Sequence, residues 1–250
     1  MATELRIFAV PGIPEVTGGA DLGQLIGDAI DRARLTIEPA DVFVVAQKIV
    51  SKAEGAVVAL ADVNPSPLAC EWASAHRREP AVIEVVLRES RRIVRMERGI
   101  IIAETHHGFI CANAGVDSSN VPPGYVTTLP RDPDASALRL QTALTAQLRR
   151  PIATIISDTF GRPWREGVVN VALGVAGLRP LLDYRGQSDS FGRRLQTTVI
   201  AIADELASAA ELVMGKTTQT PVVVVRGAGE WLGQGTGAML RRHESIDLFR

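Results

Sequence analysis

Ala153-Thr154-Ile155-Ile156-Ser157-Asp158-Thr159-Phe160-Gly161-Arg162 runs from apolar residues into an aspartate followed by small polar ones. Ile152 to Ser157 reads as a strand, because it is mostly apolar and Pro151 separates it from the helix before it. Asp158 then stands where a sheet holds a carboxylate and still lets it face a cleft. A second stretch has the same form: Phe109 to Ala114 is a strand candidate, and Asp117, Ser118, Ser119 and Asn120 follow it. Val42 to Ala46 is a continuous apolar run and so a buried strand.

Working outward, Leu5 to Val10 reads as a strand ended by Pro11-Gly12. Asp21 caps a helix from Leu22 to about Leu35, with Leu22, Leu25, Ile26 and Ile30 on one face. Ala56 to Leu60 is a strand candidate after Gly55. Pro65 to about Arg92 is helical and broken at Pro80, and Ile93 to Glu104 holds strand material around Gly99. Asp134 is read as the cap of a helix to about Leu148. Thr197 to Ile202 looks extended, Ala203 to Met214 is an alanine-rich helix stopped by Gly215, and Pro221 to Val225 is the last buried strand. The segments from Ser118 to Asp134 and from Asp158 to about Gly167 read as long loops, which are often functional. Helices and strands mix without βαβ alternation, so the expected class is α+β, irregular and mixed. One unit over residues 1–250 is expected.

At 250 residues the chain can bury a sizeable core, and its net charge of −1 argues against a general nucleic-acid or membrane-surface binder. No stretch reaches the roughly 18 apolar residues of a membrane span, and the N-terminus has no signal-peptide pattern. A cytoplasmic protein is expected, with Cys70 and Cys111 as buried free thiols.

Asp117 and Asp158, with the Thr159 hydroxyl, suit one or two Mg²⁺ or Mn²⁺ ions, which prefer oxygen ligands and keep waters and phosphates as the rest. Each aspartate alone could simply cap a turn. Arg162 and Arg165 follow at phosphate-pairing positions, although a solvated loop accounts for them equally well. Lys48 and Lys52 come directly after a buried strand, where a lysine can act as a point charge for phosphate; Asn120 could bond a base or phosphate. Gly227-Ala228-Gly229-Glu230-Trp231-Leu232-Gly233 imitates a dinucleotide fingerprint, but only seventeen residues follow Gly233, too few for the acid-bearing second strand. There is no P-loop. His106-His107 has no partner at ligand spacing and reads as solvent-exposed.

Several stretches together carry a resemblance: Ile13-Pro14, Val50–Gly55 (V-S-K-A-E-G), Asn113–Val121 (N-A-G-V-D-S-S-N-V), Leu129–Ala137 (L-P-R-D-P-D-A-S-A), Ile156–Gly167 (I-S-D-T-F-G-R-P-W-R-E-G), Ala203–Lys216 (A-D-E-L-A-S-A-A-E-L-V-M-G-K) and Val223–Gly227 (V-V-V-R-G). In this order they resemble the coenzyme F-420-0:L-glutamate ligase (gamma-glutamyl ligase) family over nearly the whole length. The chain matches the stand-alone form or an isolated ligase domain, without the C-terminal flavin-binding domain of actinobacterial relatives.

The resemblance implies a two-lobed α+β fold, an intertwined homodimer and a GTP-dependent ligase. The reaction it implies adds L-glutamate to F-420-0 or its dehydro form through an acyl phosphate, with Mg²⁺ or Mn²⁺ and, in some members, K⁺. It implies metal ligands at Asp117, Asp158 and Thr159. GTP contacts fall on Ile13, Pro14, Glu15, Val16, Gln47, Lys48, Lys52, Asn120 and the Glu211–Thr218 region, including Met214, Gly215, Lys216 and Thr217. Catalytic charge is expected from Asp117, Asp158, Lys52 and Arg162. Archaeal members place an acidic metal ligand where Lys216 stands; a protonated lysine cannot ligate a cation, so Lys216 either weakens a second metal site or contacts phosphate itself. The residues alone also fit a metal-dependent nucleotide hydrolase or phosphotransferase with another acceptor, and a non-catalytic deazaflavin or nucleotide carrier.

Overall fold

The computed structural model describes residues 4–248. Residues 1–3, read above for a targeting signal, lie outside that range. The chain begins with β1 (Arg6–Ala9), α1 (Leu22–Arg32), β2 (Val42–Ala46), α2 (Gln47–Ala53) and β3 (Val57–Ala59). It continues through α3 (Pro67–His76), α4 (Pro80–Arg88), β4 (Ser90–Glu97), β5 (Ile100–Thr105), β6 (Ile110–Ala112) and β7 (Tyr125–Thr127). Then come α5 (Pro133–Leu148), β8 (Ala153–Gly161), β9 (Val168–Ala176), β10 (Leu182–Asp183), β11 (Val199–Ile200), α6 (Ile202–Met214) and β12 (Val222–Arg226).

Five strands form the main sheet in the order β1-β12-β2-β8-β9. Within it only β2 and β8 run parallel, so the fold is α+β and not doubly wound. The apolar run in β2 is divided by the two-residue period of a strand. Phe43 and Val45 pack with Ile26 and Ile30 of α1 and Leu140 and Leu144 of α5, whereas Val42 and Val44 pack with Leu206, Ala207 and Ala210 of α6. Each such Val, Ile, Leu or Phe side chain, fully buried, contributes about 1.5–3 kcal/mol, and the alanines less. α1 starts as its sequence suggests, with the Asp21 carboxylate accepting from the Gln24 N–H at 3.0 Å. No helix among the described residues is long and apolar enough to cross a membrane.

The connection from β2 to β8 holds a second core, in which Ala69, Ala73, Ile83, Val86, Ile101 and Val126 meet. Pro80 opens α4, and the β4–β5 hairpin turns at Gly99 with φ +76°. The strand expected over Phe109 to Ala114 is shorter. Asn113, Ala114 and Gly115 are all left-handed (φ 52°, 50° and 74°) and turn the chain toward Asp117. Only Gly115 among them suits this freely.

Three expectations need correcting here. Asp158 does not begin a loop: β8 continues through it to Gly161 because β9 pairs with it, Asp158 opposite Val171. The loop shrinks to residues 162–167. Asp134 does not cap α5. Asp132 does, accepting from Ala135 N–H at 3.0 Å, with Pro133 in the first turn. The Asp134 carboxylate instead accepts from the N–H groups of Val175 (2.9 Å), Gly237 (2.6 Å) and Ala238 (3.1 Å), tying β9 to the C-terminal segment. β9 can come this close to α5 only because residue 174 is glycine: a Cβ there would lie 2.0 Å from the Pro133 carbonyl oxygen. Finally, Cys70 is exposed on α3, and only Cys111 is buried.

Candidate active site

β2 ends at Ala46, opposite Ser157 of the parallel β8, which runs on to Gly161. Crevices beyond the carboxyl ends of parallel strands are where open sheets bind ligands. A cavity of about 940 Å³ opens there, and both Asp117 and Asp158 line it. The two carboxylates come from separate parts of the chain, Asp158 from within β8 and Asp117 from the segment after β6.

Asp158 is half-buried in the cavity wall, and desolvation pushes its carboxyl up to about 6; repulsion from Asp117 adds to this, while Lys48 and Lys216 oppose it. Asp117 sits below the ordinary carboxylate range. Burial alone would raise it, but Lys48 and the Ser119 hydroxyl and backbone N–H outweigh that. Lys48, in the first turn of α2, ion-pairs with Asp117 and donates to the Ser119 carbonyl at 2.9 Å. Lys52, one turn on, pairs with Glu15 from the loop after β1.

The loop residues Ile13, Pro14 and Val16 line the cavity, as do Asn120 and, past α6, Met214, Gly215, Lys216 and Thr217. Gln47 lines it too, but its amide donates inward to Ser51 Oγ and to the Thr128 carbonyl (3.1 Å). Its role is to fasten α2 to the chain beyond β7. Arg162 does not reach the cavity: it lies in the β8–β9 turn and donates to the Glu166 carbonyl at 2.6 Å. His106 and His107 bond backbone carbonyls of Arg88 and Pro130, and His107 is half-buried, not solvated.

Among the described residues no group of three or more His, Cys, Asp or Glu could hold a metal ion. The two facing carboxylates nevertheless suit a hard divalent cation, which commonly takes one or two protein carboxylates and fills its shell with waters and phosphates. A half-buried carboxylate pushed up to about 6 beside a second one is short of positive charge. The Thr159 hydroxyl is less available as a ligand: it donates to Asn170 Oδ1 at 2.8 Å and accepts from Lys216 Nζ. Lys216 in turn pairs with Glu211 at 2.8 Å.

A family model described as F420-0:Gamma-glutamyl ligase matches residues 12–227. The chain belongs to this family. The coenzyme F420:L-glutamate ligases of Methanothermobacter thermautotrophicus and Methanopyrus kandleri are each 45% identical to it, with at least 98% of both chains covered. That of Methanocaldococcus jannaschii is 43% identical over the full length of both. The residues above account for most of the cavity wall. Sequence reasoning gave no site role to Ser157 or Asn170, and it read Cys111 as a buried free thiol, as found. Ser157 lines the cavity and its buried hydroxyl has no partner. Asn170 is a buried amide in the apolar run Val168–Ala176, and a polar residue in such a run is the signal that could have flagged it. Cys111 lies near Asp158, and burial pushes its thiol up to about 12. Such a thiol is inert. Ellman's reagent is therefore expected to modify Cys70 alone in the folded protein and both cysteines after denaturation; rapid reaction of Cys111 in the native state would contradict its placement.

Proposed function

We propose that this chain is a ligase that adds L-glutamate to coenzyme F420-0 at the expense of GTP, through an acyl phosphate. Family membership supports the ligase activity. The observation that carries the chemistry is the meeting of Asp117 and Asp158, with Lys48, Lys52 and Lys216 around them, in one cavity at the end of β2 and beside β8.

A carboxylate is a poor acyl donor because oxide is a poor leaving group. In the proposed sequence an acceptor carboxylate oxygen attacks the γ-phosphorus, the bond to the β-phosphate oxygen breaks, and GDP leaves. The glutamate amine then attacks the acyl carbon, expelling phosphate and losing a proton. Asp117 and Asp158 would hold the divalent ion, which when bound neutralises charge on the moving phosphoryl group. Lys48 and Lys52 give point charges for the polyphosphate. Lys216, anchored on Glu211, adds a third charge where a second metal would otherwise be needed. Water must be kept from the acyl phosphate, which it would hydrolyse.

Mass spectrometry of F420-0 after incubation with GTP, Mn²⁺ and glutamate tests this reading. A mass gain of one or more glutamyl residues supports it, whereas GDP release that ignores glutamate would favour a nucleotide hydrolase. A second test concerns Asp158 directly. Protons and a metal ion compete for a carboxylate, and this one is pushed up to about 6. Mn²⁺ affinity, followed by electron paramagnetic resonance, is therefore expected to fall about tenfold between about pH 7 and pH 5. A flat profile would remove Asp158 from the ligand set.

A further inference from the structure

A second cavity, of about 250 Å³, lies beside the first at the open edge of β9. The two share a wall. Ala112 of β6 and Asp158 of β8 line the first, and Ile110 and Phe160, two residues along the same strands, line the second. Two residues of a strand span roughly 7 Å.

The second cavity has an apolar wall and two poles of opposite charge. Phe109 and Phe160 meet edge to face with centroids 6.3 Å apart and form the wall. At one pole the Arg241 guanidinium stands 6.0 Å from the Phe109 ring centroid. Its Nε faces the Ala238 carbonyl at 3.5 Å, and no carboxylate among the described residues pairs with it. At the other pole is Asp204, in the first turn of α6. One oxygen accepts from the Ala172 N–H at 2.8 Å, and the other has no partner among the described residues. Burial holds this carboxyl above its ordinary range, which marks a negative charge lacking a counterion. Arg242 and Asp247 also line the cavity but have interactions of their own.

A guanidinium fork binds carboxylate, and a half-buried carboxylate binds ammonium. The volume is below the roughly 300–1,000 Å³ of sites for drug-sized ligands, so a tricyclic cofactor is too large and an amino acid is not. We propose that this cavity captures the amino-acid co-substrate, Arg241 taking a carboxylate, Asp204 the ammonium, and Phe109 and Phe160 covering the methylenes between. Ala172, which anchors Asp204, pairs across the sheet with Ser157 of the first cavity. The ammonium pole thus lies one strand from the first cavity, and the amine can attack there only after it leaves Asp204 and loses a proton. The inference rests on the ligase reading for the identity of the amino acid, L-glutamate.

Two conservative variants and one analogue test it. Arg241→Gln removes the anion fork on an exposed side chain; Asp204→Asn keeps the acceptor for Ala172 but loses the charge. Glutarate has both carboxylates of glutamate and no amine. Arg241→Gln is expected to raise the glutamate KM and the glutarate inhibition constant about tenfold or more, and Asp204→Asn the glutamate KM alone. Affinity for a fluorescent GTP analogue is expected to stay within about twofold in both. A purely structural role would move all three quantities together, and that outcome, or an unchanged glutamate KM in both variants, overturns the proposal. Saturation-transfer NMR of glutamate on the wild type and on Arg241→Gln reads binding without turnover. Absence of glutamate-dependent GDP release in the wild type sinks the ligase reading; equal NMR signals in the two proteins sink this site. Should Arg241→Gln fold poorly, Arg241→Lys, which keeps the charge but not the fork, is expected to give an intermediate KM, and a wild-type KM there counts against the site.

Discussion

Asp158→Asn is expected to abolish turnover and, in the same protein, to raise the melting temperature. The two effects have one cause. The carboxylate is half-buried beside Asp117, and desolvation pushes its carboxyl up to about 6 from the ordinary 3.8. The folded state therefore binds this proton more tightly than the unfolded chain does. The stability it lends is fully present below about pH 4 and is lost as pH rises through about 6. At neutral pH the ionised group costs on the order of 2 kcal/mol, and asparagine, nearly the same shape and able to accept the same Thr159 backbone hydrogen bond, removes that cost. A gain of a few degrees in calorimetry is expected, since about 1 kcal/mol corresponds to roughly 2–4 °C at this size. Turnover, measured as glutamate-dependent GDP release, is expected to fall about a thousandfold, because a charged metal ligand supplies several kcal/mol to the transition state. Near-normal activity at low metal concentration would refute the role of Asp158. A lower melting temperature would refute its electrostatic isolation.

How far the sequence discloses this site depends on the kind of signal each part leaves. Val42–Ala46 and Ala153–Ser157 are legible as buried strands because both of their faces meet a core, so only Thr154 and the terminal Ser157 break the apolar pattern. Their parallel pairing is not legible, since a connection of more than a hundred residues lies between them. That pairing is what makes the segments after Ala46 and Ser157 neighbours and so builds the cavity. β9 is hidden because its pattern carries Asn170 and Gly174, a buried amide and a forced close approach, which read as breaks in a strand. Arg162 illustrates the opposite error. Its spacing from Asp158 suits a phosphate clamp only if the chain turns at Asp158; with β8 running on to Gly161, the guanidinium is carried away from the cavity. Asp204, although part of the Ala203–Lys216 motif, and Arg241 carry no spacing signal that pairs them, because only the tertiary fold brings them to one cavity.

Asp134→Ala is expected to be the most destabilising of the aspartate substitutions considered for this chain. If Asp134 merely capped α5, its removal would cost about 1 kcal/mol, the usual worth of a cap. The cap is Asp132, and Asp134 is instead the common acceptor for three backbone N–H groups from β9 and the C-terminal segment. Hydrogen bonds to a charged acceptor contribute about 1.5–3 kcal/mol each, with less than full additivity when they share one group. A loss of about 3–4 kcal/mol follows, or roughly 10 °C in melting temperature. Asp134→Asn is expected to fall between, because Oδ1 retains Val175 and Gly237 whereas the amide nitrogen now faces the Ala238 N–H. The ordering Asp134→Ala, then Asp134→Asn, then Asp132→Ala, measured by urea denaturation at neutral pH, separates a tertiary tie from a local cap. Equal losses for the two alanine variants would mean that β9 and residues 237–238 are held by something other than this carboxylate.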